Sequence, residues 1–446
     1  MKDTTHSQKA STKDATHNRV LTNKENKMNI KNRTLFIADN LDILRGINSD
    51  CIDLIYLDPP FNSKKKYKAP IGSPAEGASF KDIWTDKDIK NEWHGEIAEE
   101  NEHIYKVIQA SEFIYDTSMK IYLTAMTIRL YEMKRILKDT GSIYLHCDPT
   151  ASHYLKLITD SIFGKKNFRN EIIWGYSNAG RPKRFFAKKH DIILLYTKTP
   201  NAFWGNYKVP LSKKYIASHY RHTDSKGQRC QIRTDYGKTR YYYEKDGMIP
   251  NDWWKDIPFL NPMAKERTGW PTQKPVALLE RIIKASSNKG DIILDPFCGC
   301  ATACVAAEQL NRQWIGIDIS PSAEDITKLR LDQTVDEESN LFNPFTDVIV
   351  QTKAPKRTDL VKLPKPHKYK HEIYGQQEGK CTLCNHYFPF RNMTIDHIIP
   401  ESRGGTDERK NIQLLCSACN STKGTRTQAK AKKAVKKQQE TTKCSE

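Results

Sequence analysis

CIDLIYLDPPF, residues 51–61, reads as a buried strand that runs directly into Asp58-Pro59-Pro60-Phe61. A second stretch of the same design, DIILDPFCGC at 291–300, runs from a strand into Asp295-Pro296-Phe297-Cys298-Gly299. Between and around them apolar runs of strand length alternate with helical periods. TLFIA (34–38), GSIYLH (141–146), NEIIWGY (170–176), DIILLYT (191–197) and Gln313–Ile317 predict strands. Residues 42–47, 111–137, 150–163, 273–287 and 301–310 predict helices, the long one closed by a C-cap signal at 138–141. This alternation implies an α/β fold with a mostly parallel sheet covered on both faces.

The 446 residues allow two or three domains. The 72 basic and 53 acidic side chains leave +19, concentrated at the two ends. Residues 1–34 and 353–446 hold most of that excess, whereas 35–352 is nearly neutral. Such a distribution suits a polyanion, nucleic acid first, or else solvated lysine-rich tails. No apolar run has membrane length and the N-terminus lacks a signal-peptide core, so a cytoplasmic protein without a disulfide framework is expected. The expected division is a disordered basic tail at 1–33, a body at 34–335, a proline-bearing linker at 336–372, a compact unit at 373–427 and a basic tail at 428–446.

In a parallel sheet, ligands bind beyond the carboxyl ends of the strands. Pro59 and Pro60 fix the backbone there and pre-aim the Asp58 carboxylate and the Pro59 carbonyl. Those two acceptors can take the hydrogens of an exocyclic base amine and free its lone pair, while Phe61 stacks on a base rotated out of the duplex. An ordinary strand-ending turn is the competing reading of the four residues alone. Strand-DPPF early in the chain and strand-DPFCG late in it resemble the β-class amino DNA methyltransferases, whose catalytic motif precedes the cofactor motif. Gln273-Lys274-Pro275, Asn288-Lys289-Gly290-Asp291 and Gly316-Ile317-Asp318 extend the resemblance over about residues 34–325.

The resemblance implies a Rossmann-like, S-adenosylmethionine-dependent sheet in permuted motif order, acting on double-stranded DNA. It assigns catalysis to Asp58, Pro59, Pro60 and Phe61. It assigns the cofactor to Asp39, Lys274, Asp295, Pro296, Phe297, Gly299 and Asp318. A glycine turn opening a helix suits the methionine carboxylate, and Asp318 suits ribose hydroxyls. Asp39 reads equally well as a turn carboxylate. The family's second glycine is Ala301 here, which predicts reduced room. Adenine is favoured over cytosine by the Asp-Pro-Pro form. The glycine loop is not of the GxGxxG kind, which excludes a nicotinamide enzyme. Residues 199–268, with Trp204, Tyr207, Tyr215, Tyr220, Arg221, Arg229, Arg233, Arg240, Tyr241–Tyr243, Trp253, Trp254 and Arg267, occupy the place of target recognition, though some of these aromatics can be the segment's own core.

Cys381-x2-Cys384 and Cys416-x2-Cys419 can supply four thiolates to one structural zinc. The 31 residues between the pairs hold Thr394-Ile395-Asp396-His397-Ile398-Ile399-Pro400, Gly404-Gly405 and Asn411, and Asn420-x2-Lys423 follows. Residues 379–426 closely resemble the HNH nucleases, a ββα-metal finger. That resemblance makes His397 the base, has Asn411 orient its loop, and gives Asp396 and Asn420 a Mg²⁺-like ion. Two alternatives stay open: a solitary methyltransferase whose zinc module only binds DNA, and a nuclease for which the body is a DNA-positioning scaffold. The oligomeric state is open.

Overall fold

The computed structural model describes residues 28–177, 182–261, 263–333, 347–359 and 369–443. Nine strands build one sheet. They are β1 (Thr34–Ile37), β2 (Ile52–Leu57), β3 (Leu137–Cys147), β4 (Phe168–Gly175), β5 (His190–Thr197), β6 (Trp253–Trp254), β7 (Ile292–Asp295), β8 (Gln313–Asp318) and β9 (Ile349–Gln351). Their order is β6-β4-β5-β3-β2-β7-β8-β1-β9. Only β5 runs against its neighbours; every other pair is parallel.

The central strands are apolar on both sides because both faces are covered. Ile55, Leu57, Ile143 and Leu145 join one core with helices Asn40–Gly46, Thr117–Ile136 and Ser152–Phe163. Leu54, Tyr56 and Tyr144 join the other, under helices Val276–Ser286 and Thr302–Gln309. This is the fold class the alternation implies.

Several boundaries differ from those expected. The helix read over 111–137 is two, Glu102–Ile114 and Thr117–Ile136, separated where the Asp116 carboxylate accepts the Met119 N–H as an N-cap. No C-cap turn forms at 138–141, because Leu137 pairs with Ile52 and Lys138 reaches the Asp53 carboxylate at 2.8 Å, so β3 begins at once. The segment 62–110 holds a hairpin (Lys65–Lys68 with Ser79–Asp82) and helix Asn91–Glu100. The body does not stop at 335: β9 adds to β1, and Thr358 and Asp359 receive the turn at Asn48 and Ser49. At the other end Asn29, Asn32 and Arg33 are bonded to the body, so the expected tail reaches in only to about residue 28. Gln428–Lys443 is a helix with Ala431 and Val435 buried, not a free tail. The remaining parts of the expected tails and linker, residues 1–27, 334–346, 360–368 and 444–446, lie outside the described residues.

The C-terminal unit sits against the body. Helix Lys370–Gln376 packs on helix Asn91–Glu100 so closely that a Cβ on Gly375 would lie 2.0 Å from the Asn91 carbonyl. Tyr105 contacts the rings of Tyr374 and Tyr387. His371 lies 2.6 Å from Glu99, and Ile373, Leu414 and Leu415 belong to the same apolar core as Ile104 and Ile108.

Candidate active sites

Four neighbouring strands, β2, β7, β8 and β1, each end at or just before an aspartate, and together they open one cavity of about 1060 Å³. Every residue the sequence assigned to catalysis or cofactor in the body lines it: Asp39, Asp58, Pro59, Pro60, Phe61, Lys274, Asp295, Pro296, Phe297, Gly299 and Asp318. The motifs lie more than 230 residues apart in sequence and meet because β2 and β7 are adjacent.

Lys274 stands on the catalytic side. Its ammonium lies 2.5 Å from Asp58 Oδ2 and 5.5 Å from the Phe61 ring centre. The other oxygen, Asp58 Oδ1, is buried and has no hydrogen-bond partner among the described residues. A buried acceptor left unpaired costs about 1–3 kcal/mol, so it is an address for a donor. Phe61 stacks on His146, whose Nδ1 lies 2.9 Å from the Tyr56 hydroxyl and Nε2 3.1 Å from Asp191 Oδ2. Tyr176 donates to Asp191 Oδ1 at 2.9 Å. Burial opposes the charge on Asp191, yet the His146 bond and charge hold its carboxyl down at about 2.

On the cofactor side, burial pushes the Asp295 carboxyl well above the usual range, and Asp58 and Asp318 add to the rise. Burial raises Asp318 as well, against the Ser320 and Gly299 amides that donate to it at 2.8 Å. A cationic guest, such as a methyl sulfonium, would favour the charged forms of Asp295 and Asp318 that burial disfavours. Gly299 is forced: its φ is +51°, and a Cβ there would lie 2.8 Å from Trp270 Nε1. Asp39 is a turn carboxylate that also reaches the cavity. It caps helix Asn40–Gly46 through the Leu41 N–H and pairs with Arg129 at 3.0 Å while lining the cavity.

Sequence reasoning missed the struts. Asn40 donates to the Pro296 carbonyl at 2.7 Å and accepts from Arg129 at 2.6 Å, tying the end of β1 to the DPF loop. Arg330, buried, donates to the Cys300 carbonyl and the Thr302 hydroxyl from below. Neither arginine carries a local signal in the sequence.

Ala301 has φ +58°, ψ +33°, which explains why glycine is usual there. Relief of the left-handed strain (about 1–2 kcal/mol) is offset by one lost buried methyl (about 0.8) and by the greater chain entropy of glycine (about 0.5–1). Ala301→Gly is therefore expected to change denaturant stability by less than about 1 kcal/mol. Ala301→Val, β-branched in a left-handed, fully buried position, is expected to cost several times that. A large gain from Gly would show that strain dominates.

In the C-terminal unit the four cysteine Sγ atoms lie within 4.8 Å of one another, and three of the four residues are buried. Four cysteines so placed could hold a structural zinc. About one zinc per chain is expected by elemental analysis, with Cys416→Ser reducing it to a trace and destabilising residues 381–436 by several kcal/mol. Full zinc in the variant would refute the four-sulfur site.

The neighbouring constellation departs from expectation. Asp396 and His397 end the strand Met393–His397, paired with Ile412–Cys416 and followed by helix Ser417–Lys423. Asn411 accepts the Ile399 N–H at 2.8 Å and donates to Ile399 and Thr406 carbonyls, so it does pin the loop after His397. His397 Nε2 lies 2.7 Å from Asp407. Asp396, expected beside an ion, is instead held by the buried Lys423 ammonium at 3.0 Å and by Gln413 at 2.7 Å. Lys423 also donates to the His397 carbonyl at 2.6 Å. An ammonium at that distance repels a divalent ion, so Asp396 with Asn420 does not fit a Mg²⁺-like cation in this arrangement.

A family model described as DNA methylase matches residues 52–329. The chain belongs to the DNA methylases. A second model, described as HNH endonuclease, matches residues 381–436, so the methylase carries an HNH domain at its C-terminus. Type II methyltransferase M.HpaI of Haemophilus parainfluenzae is 28% identical over 70% of this chain and 76% of its own length. DNA adenine methyltransferase YhdJ of Escherichia coli is 28% identical over 67% and 83%. The PvuII DNA methyltransferase (cytosine-N4-specific) covers 69% of this chain and 90% of its own, at 15% identity and a TM-score of 0.42. No described helix is long and apolar enough to cross a membrane.

The segment 199–268, expected to recognise the target, divides. Residues 222–243 form a three-stranded sheet, on which Arg240 and Tyr241 are exposed. Tyr220 is buried with Leu211 and Ile216, and Trp254 is buried in β6, so these two are core, as the alternative reading had it.

Proposed function

We propose that the methylase transfers a methyl group from S-adenosylmethionine to the exocyclic amine of a base, adenine favoured, in double-stranded DNA. We further propose that its HNH domain cleaves DNA and that the two serve restriction–modification. The buried Asp58 Oδ1, without a partner among the described residues, carries the first part. An amine entering the cavity donates one hydrogen to that oxygen and the other to the Pro59 carbonyl, so its nitrogen becomes tetrahedral and its lone pair is free to attack. Lys274 holds the second carboxylate oxygen and fixes the plane of the first. Phe61, backed by His146, stacks on the extruded ring. Bound S-adenosylmethionine supplies an electrophilic methyl on a positively charged sulfur. Asp295 and Asp318 favour that charge, and the Gly299 turn admits backbone amides to its carboxylate. The relative described as a DNA adenine methyltransferase supports adenine, and the type II relatives support restriction–modification.

The test is nucleoside mass spectrometry after incubating unmethylated DNA with the chain and S-adenosylmethionine, without divalent metal. N6-methyladenine is the expected product; N4-methylcytosine would correct the base, and no methylated nucleoside would overturn the reading. The Lys423–Asp396 pair favours one second reading of the C-terminal unit, a zinc module that binds DNA without cutting it.

A further inference from the structure

We infer that residues 182–189 are a second DNA-contacting element, a wedge whose Phe185 and Phe186 enter the stack at the position vacated by the target base. This rests on the base-methyltransferase reading of the Asp58 cavity. The segment reads Pro-Lys-Arg-Phe-Phe-Ala-Lys-Lys. Phe185 is 82% and Phe186 100% exposed. Burying a phenylalanine is worth about 1.5–3 kcal/mol, so two adjacent rings left in water forgo a large stabilisation. Lys183, Arg184 and Lys188 are exposed around them. Bare aromatics framed by cations match stacked bases framed by phosphates.

Position selects DNA over other partners. The segment joins β4 to β5, and the pair Gly175–His190 closes its stem at the carboxyl edge of the sheet, where Asp58 also lies. From β2 to β5 is two strand spacings, about 10 Å. The stem is also bonded to the catalytic floor. Tyr176, one residue past β4, donates to Asp191 in β5, and Asp191 holds the His146 on which Phe61 stacks. A duplex whose base lies on Phe61 therefore has its vacated position next to an element fixed to the same residues.

The test uses the full chain and two duplexes carrying the mapped methylation site, one with 2-aminopurine at the target for the fluorescence and one with the natural base there for the methylation rate. Phe185→Ala/Phe186→Ala is expected to lower both the 2-aminopurine signal and the methylation kcat at least about tenfold, with cofactor binding unchanged, and Phe186→Trp is expected to keep both. Lys183→Ala/Arg184→Ala is expected to weaken binding and reduce the log–log salt slope by roughly two. Wild-type rates and fluorescence in the double-Phe variant would overturn the wedge. So would unchanged methylation with loss of a concentration-dependent dimer in sedimentation, which would make the surface a contact between copies. If wild-type chain gives no methylated nucleoside, the underlying reading fails first and the wedge with it.

Discussion

Asp58→Ala is expected to reduce methyl transfer by at least about a thousandfold while cofactor affinity changes little. The change removes the only buried acceptor in the cavity that lacks a partner among the described residues and is aimed at the incoming amine, and it strips Lys274 of its counter-charge. Asp58→Asn sharpens the case. The Lys274 ammonium would draw the amide oxygen to itself, and the amide NH₂ would then face the amine, donor against donor. Near-complete loss is therefore expected from a nearly isosteric change. Single-turnover transfer of labelled methyl, beside calorimetric cofactor binding, checks both variants. An Asn variant retaining a tenth of the rate would mean that the lone pair is freed by something other than this carboxylate.

The second large effect concerns His397. Its ring nitrogen lies 2.7 Å from Asp407 and its carbonyl accepts from Lys423, so the residue is held from two sides. If it takes the proton of the attacking water, His397→Ala should lower DNA nicking about 10²- to 10⁴-fold and leave methylation untouched. A supercoiled plasmid and a divalent cation give the nicking rate, and nucleoside analysis of the same samples gives the methylation. Nicking unchanged in the variant would hand the C-terminal unit to the DNA-binding reading.

The methylase site was legible because its residues are backbone-bound. A strand fixes direction, two prolines or a glycine fix the turn, and the aspartates at 58, 295 and 318 must then share one edge of the sheet. The zinc set was legible for a like reason, since the spacing of each CxxC pair is itself geometry. Residues that act through long side chains were not legible. Lys274 was placed with the cofactor, and only its four-carbon stem shows that its charge also reaches Asp58. Lys423 was quoted as part of a pattern without a partner, and its ammonium pairs with Asp396 at 3.0 Å. Chain segments that fold only onto other segments were hidden as well. The strand Ile349–Gln351 lies in a short Val-Ile-Val run inside the stretch read as linker, and it completes itself on the open edge of β1. Helix Gln428–Lys443 is polar nearly all round, and only Ala431 and Val435 show its buried side.

The seating of helix Lys370–Gln376 on helix Asn91–Glu100 bears on how the molecule comes apart. With Tyr105, Tyr374 and Ile373 in one continuous apolar interior, neither half can melt without laying bare a surface of the other. The two halves are thus a single cooperative unit, and heat or urea should give one transition rather than two. Severing the gene between them would yield two sticky fragments instead of two enzymes, and a chelator acting on the far cysteines would be felt as lost stability in the methylase sheet.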